Sequence, residues 1–237
     1  MRQFWISGSL ALSLILTGCG ETDTPRGEPY FEKPASQEAR DVLGEVDPSG
    51  LPASQRAALA YAHAVTAAAL FRAGDDAGGA VHVAHLDPAA HPGLMVGLDT
   101  LGFDAAPVEA VRAAPQDETA LAAMDAMLAA LRPNAAGDVR ETTGFLMKSL
   151  GAAYEAGADA GTISSAEAYQ TAYGLAVTAR DIVAAQEDAA YGDLRLELEL
   201  LVRMWPGKGP SATFTPAPDL EMAQALLDIK LALARLP

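Results

Sequence analysis

From residue 50 onward, apolar positions recur at helical spacing, and glycine, proline or aspartate punctuates them. Ser54 is a good N-cap, and Leu59, His63, Thr66, Ala67 and Leu70 follow on one stripe. A helix is therefore expected from Ser54 to Ala73, with His63 turned towards the core. Gly74 followed by Asp75-Asp76 reads as a helix stop and a new start. The second helix, Asp76 to Leu86, contains Gly78 and Gly79, each costing about 1 kcal/mol against alanine. Both glycines share an arc with His82 and His85, which would permit a close approach there. Shorter helices are expected around Leu94 to Leu101 and from Pro107 to Ala114. An amphipathic helix runs from Asp117 to Leu131 and stops at Arg132-Pro133-Asn134; another covers Val139 to Ala156. After a glycine-containing loop, Ser165 caps a helix to Ala185 that carries Tyr169, Tyr173, Ala176 and Ile182 on its core side. Helices over Tyr191 to Met204 and from an Asp219 cap to about Leu236 complete the chain, and a short one is expected at Ser36 to Val46. No segment alternates apolar and polar residues with β-branched enrichment, so no strand is expected. The pattern predicts an all-α fold, a helical bundle or stacked antiparallel helical hairpins. It forms a single domain over 36–237, and any sub-division would fall near 133–138.

The first residues have a different character. Arg2 precedes an apolar run from Phe4 to Leu16, and Leu16-Thr17-Gly18-Cys19 follows, which is the secretory pattern. The run is too short to span a bilayer. It resembles the lipobox of bacterial lipoproteins. That resemblance implies a signal peptide over 1–18, cleavage before Cys19, lipidation of Cys19 with palmitate-type acyl chains, and membrane attachment through those chains. The location implied is the periplasmic face of the outer or inner membrane. Residues 19–35, with Pro25, Gly27, Pro29 and Pro34, read as a tether. Cys19 is the single cysteine, so no internal disulfide forms. The net charge of −15 argues against nucleic acid and anionic lipid as partners of the folded body.

All four histidines lie between His63 and His91. His63 stands eleven residues before Gly74 and His85 eleven after it, so an antiparallel hairpin places them at one height. His82 and His85 are three apart and share a face. Three imidazoles then converge, a donor set that suits iron, copper or zinc, with Asp87 or Asp75-Asp76 as nearby carboxylates. The alternative is one core histidine bonded to a backbone carbonyl beside two partly exposed ones. His91, beyond a proline, reads as a surface residue. Tyr154, Tyr169 and Tyr173 read as core, and Glu155 and Glu167 as solvated helix-end charges with ligand capacity. No phosphate loop, nucleophile elbow, CxxC or HExxH occurs, so binding rather than catalysis is expected.

Ala62-His63, Leu70-Phe71-Arg72-Ala73-Gly74 and His82-x-x-His85 together resemble helical lipoproteins of bacterial iron-uptake settings, related to imelysin-type proteins. Tyr154-Glu155-Ala156-Gly157, Glu167-Ala168-Tyr169-Gln170 and Tyr173-Gly174 are similar to the extracytoplasmic helical domain of high-affinity iron permeases. The imelysin G-x-H-x-x-E signature is absent, since Ala64, Val65 and Thr66 follow His63. The resemblance implies iron handling, with an envelope iron-transport protein as partner. The runner-up is a helical scaffold module that docks another envelope protein, its histidines being structural.

Overall fold

A computed structural model describes residues 48–207 and 209–237; Cys19, the signal segment, the tether and the expected helix at Ser36 to Val46 lie outside them. The fold is all-α. Nine α-helices lie among the described residues: α1 (Ala53–Arg72), α2 (Asp76–Ala84), α3 (Pro92–Met95), α4 (Ala105–Ala113), α5 (Glu118–Ala136), α6 (Val139–Gly157), α7 (Ala166–Ala184), α8 (Gly192–Val202) and α9 (Asp219–Ala234). Side-chain caps begin most of them. Asp75, Asp104, Asp117, Asp138 and Ser165 each accept a backbone N–H from the first turn of α2, α4, α5, α6 and α7. Two expected caps belong elsewhere. Pro52 precedes α1 and Pro218 precedes α9, so Ser54 and Asp219 lie inside their first turns. A proline with extended ψ supplies the first helical carbonyl without needing a side-chain cap.

The α1–α2 turn closes as its sequence dictates. Gly74 takes φ +79°, and the Asp75 N–H reaches back to the Leu70 carbonyl at 2.9 Å. α2 ends at Ala84 rather than Leu86, leaving His85 at its C-cap. The stretch expected as one helix over Leu94 to Leu101 is instead the single-turn α3 and a 3-10 turn at Asp99–Leu101, parted by Gly97 at φ +73°. α5 does not stop at Pro133 but continues to Ala136. Pro133 and Ala129 are both exposed, so the carbonyl that Pro133 leaves without a donor meets water. Asn134 Nδ2 donates to the Leu101 carbonyl at 2.9 Å and Ala135 is fully buried, which holds that last turn in place.

The expectation of no strand is corrected at one small place. Ala158–Asp159 (β1) and Thr162–Ile163 (β2) form a two-stranded antiparallel hairpin. Ala160 and Gly161 both take positive φ, +48° and +80°, as a tight hairpin turn requires. It joins α6 to α7, and these two helices make the most extensive contact in the molecule. α1 lies against α5 and α7, and α2 folds back on α1. α8 and α9 pack on each other and cover α7 and α6 respectively. The architecture is therefore stacked helical hairpins. α1 enters the centre through its small residues: Ala57, Ala58, Ala60, Ala64, Ala67 and Ala68 are all fully buried. No described helix is long and apolar enough to cross a membrane.

Candidate metal centre

Three helices and one turn bring polar side chains together at the open edge of α1, α2 and α7. α1 supplies His63; α2 supplies His82 and, at its cap, His85; His91 precedes α3. α7 contributes Glu167 and Gln170, which share a face with Gly174 at i, i+3, i+7 spacing. Gly174 is what permits the approach. A Cβ there would collide with Thr66 Oγ1 and the Ala62 carbonyl, so α1 and α7 cross at backbone distance. The next turns of α7 then stand beside the histidines. A Cβ on Gly78 would come 2.8 Å from Asp75 Oδ2 and 3.0 Å from Gln170 Nε2, and one on Gly79 would strike the Phe71 ring. Both glycines thus make room for neighbouring side chains.

The four imidazoles form a row. His63 Nδ1 and His82 Nδ1 are 3.3 Å apart. His63 stacks on His85 with ring centroids 4.3 Å apart and planes inclined by 20°. His85 and His91 follow at 4.9 Å. His82, fully buried, has its Nε2 3.3 Å from Gln170 Oε1. An amide oxygen only accepts, so His82 Nε2 carries the proton and Nδ1 keeps its lone pair. His63 Nδ1–H fills that lone pair in the metal-free protein. His85 Nε2 donates to Glu167 Oε1 at 2.8 Å at the surface.

Burial keeps the inner pair neutral. Desolvation pushes His82 down to about 4, partly countered by its bond to Gln170. His63 is held well below the usual imidazole range, by desolvation first and then by the neighbouring histidines.

Ring convergence is not the same as donor convergence. Among the described residues, no group of three or more His, Cys, Asp or Glu side chains is arranged to hold a metal ion as it stands. The reason is visible in the stack. An imidazole lone pair lies in the ring plane, so the parallel rings of His63 and His85 direct theirs side by side rather than to one point. The nearby carboxylates are otherwise engaged: Asp75 caps α2 through the Gly78 N–H, and Asp87 accepts the Ala89 N–H at 2.8 Å. His91, expected as a surface residue, is half-buried and extends the row. Gln170 went unremarked as a candidate; the Glu167, Gln170, Gly174 stripe is the signal that points to it.

The tyrosines form a separate aromatic cluster. Tyr154, Tyr169 and Tyr173 surround Trp205 with centroids 5.9 to 6.0 Å from it. Tyr154 donates to the Ala217 carbonyl at 2.6 Å, whereas Tyr169 Oη and Trp205 Nε1 are buried with no hydrogen-bond partner among the described residues. They fill volume, as core aromatics do. No family model matches this chain, and no curated protein or solved structure matches it.

Proposed function

We propose that this protein is a membrane-anchored, extracytoplasmic lipoprotein that binds a transition-metal ion through His63 and His82 and serves iron uptake. The observation that carries the metal reading is the 3.3 Å between the two Nδ1 atoms. Two nitrogens each about 2.0–2.1 Å from a tetrahedral ion stand about 3.3 Å apart. An ion held by this pair would take the place of the shared proton, with His63 carrying its proton on Nε2 instead. Gln170 fixes the His82 ring and tautomer from behind, the role that outer partners play around ligating histidines. His85, stacked on His63, would be the third ligand. The metal binds rather than reacts, so no catalytic residue is assigned. The anchor at Cys19 and the assignment to iron rest on the lipobox and the sequence resemblance.

The test is metal analysis and competitive titration of the full-length protein, purified without a histidine tag, against iron(II), copper(II) and zinc(II). One ion per chain is expected, with affinity lost in His63→Ala and His82→Ala. If none of the three ions binds above the level of a His63→Ala/His82→Ala double variant, the histidines are structural.

A second reading has its own observation. Leu196 and Leu200 on α8, and Leu227 and Leu231 on α9, are half exposed. Each lies two residues from a core position, Leu194, Leu198 or Ile229, and so points directly away from the core. The two helices pack on each other, and Asp193 at the start of α8 pairs with Arg235 at the end of α9 at 3.7 Å. Such an outer face suits a scaffold that docks another envelope protein. A chain that binds no metal would be read this way.

A further inference from the structure

The last helix carries more apolar surface than its own fold uses. On α9, Met222, Ile229 and Leu233 recur at helical spacing and are buried. Leu220, Leu227 and Leu231 repeat the same spacing two residues earlier, yet they stand 80%, 48% and 47% exposed. Two residues amount to about 200° of helical turn, so the second stripe faces away from the first. An apolar stripe on each side belongs to a helix that is covered on both. α8 repeats the pattern, with Leu194 and Leu198 buried and Leu196 and Leu200 half exposed. The two helices pack on each other and run in opposite directions. Asp193 at the start of α8 pairs with Arg235 at the end of α9, and at the other end both chains reach Tyr154. The Trp205 ring, just past α8, stands 5.9 Å from the Tyr154 ring, and the Ala217 carbonyl, just before α9, accepts the Tyr154 hydroxyl. The two exposed stripes therefore lie on neighbouring antiparallel helices.

The charges of these helices and their caps are sorted by end. At the Tyr154 end, Glu199, Asp219 and Glu221 outnumber Arg203; at the other, Arg195, Lys230 and Arg235 outnumber Asp193. Glu197 and Asp228 lie midway, and Asp228 already accepts from Gln224. A twofold axis that reverses the helices sets each acidic end against the basic end of a second copy, and the leucines of both copies meet between them. We propose that the exposed face of α8 and α9 is the interface of a homodimer, with leucines at its centre and opposed acidic and basic ends at its rim. An apolar centre inside a charged rim is the anatomy of a specific interface. The leucines supply the affinity. The sorted charges fix the orientation, because a pairing in the same direction would set like ends together. This goes beyond both readings of function: it is independent of the metal pair, and it gives the outer face to a second copy of this chain.

Sedimentation equilibrium of the full-length protein in a density-matched detergent reads the mass of the protein alone. At about 50 µM, within the affinity range of standard-sized interfaces, the parent should weigh as two chains. A Leu227→Glu/Leu231→Glu double variant should weigh as one, with the circular dichroism of the parent, since both side chains are exposed. Charge reversal tests the orientation. Asp219→Lys/Glu221→Lys makes both ends basic, and Lys230→Glu/Arg235→Glu makes both acidic. Each should dimerise about tenfold or more weakly by itself, and an equal mixture of the two should recover most of the parent's affinity as a heterodimer. A parent that stays monomeric overturns the proposal and leaves the face to another protein or to lipid, which flotation with phosphatidylcholine vesicles tells apart. Dimers that survive the leucine variant overturn it as well, because the contact then lies elsewhere. A mixture that recovers nothing overturns the twofold arrangement. Zinc titrations of the parent and the leucine variant should agree, so failure here leaves the His63–His82 pair standing, and the reverse also holds.

Discussion

His82 shows what one buried imidazole does to the whole chain. It has no solvent contact, its Nε2 is bonded to Gln170, and burial lowers it to about 4. In the unfolded chain the same ring titrates near 6.5. Between pH 6.5 and about 4 the unfolded state therefore holds a proton that the folded state refuses, and stability falls as pH falls across that window. A shift of this size corresponds to about 3 kcal/mol, and His63, lowered for the same first reason, adds to the loss. Metal-free protein should accordingly lose stability between pH 7 and 4.5. His82→Leu should lose about 2–3 kcal/mol less over that interval, read from urea midpoints at each pH. Equal pH slopes for parent and variant would mean that His82 protonates freely in the folded state. The meeting of His63, His82 and His85 was legible in the sequence because all three are local to Gly74 and helical geometry fixes their heights. Gln170 was not, since it lies 88 residues from His82 and meets it only because α7 crosses α1.

That crossing is a property of elements, and it depends on positions where a side chain is missing. Gly174→Ala would set a methyl against Thr66 Oγ1 and the Ala62 carbonyl, one of them backbone that cannot yield cheaply. α7 must then back away and carry Gln170 and Glu167 with it. We expect a loss of about 1–3 kcal/mol in stability together with weaker zinc binding, measured by denaturation and competition titration. A destabilised variant with unchanged zinc affinity would detach the site from the crossing. Gly74 offers a cleaner case. Nothing lies within 4 Å of a Cβ built there, so a substitution pays only for its φ of +79°. Gly74→Val should cost about 1–2 kcal/mol or somewhat more, lowering the calorimetric Tm by several degrees without moving the helices. An unchanged Tm would show that the turn relaxes. The sequence announced this turn, the Ser165 cap and the all-α class because these are written within a few residues. It misplaced the end of α5 and missed the β1–β2 hairpin. Tertiary contacts decide the first, through Asn134 on the Leu101 carbonyl; the second turns on Ala160 accepting a left-handed conformation.

For the molecule as a whole, the difficulty is to tell a site from a charged surface. A chain of net charge −15 gathers cations everywhere, and adsorbed ions can also shift a melting curve. Two properties separate the cases. Surface adsorption weakens as the screening length shrinks from about 10 Å at 0.1 M salt towards 3 Å at 1 M, whereas a buried pair is screened much less. Proton competition differs too. Ordinary imidazoles begin to lose ligands to protons below about 6.5, but His63 and His82 stay neutral well beneath that. An ion that binds only the folded state adds about 2.7 kcal/mol at a hundredfold excess over Kd, which for a domain of this size is about 5–10 °C in Tm. Zinc(II) should therefore raise the Tm of the parent by that amount at neutral pH. The rise should survive a change from about 0.1 to 0.5 M salt, persist at pH 5.5, and disappear as pH approaches 4. His82→Ala should abolish it at every pH. A rise that fades with salt, or that halves near pH 6.5, would come from carboxylates and exposed histidines on the surface, and the buried pair would have no part in it.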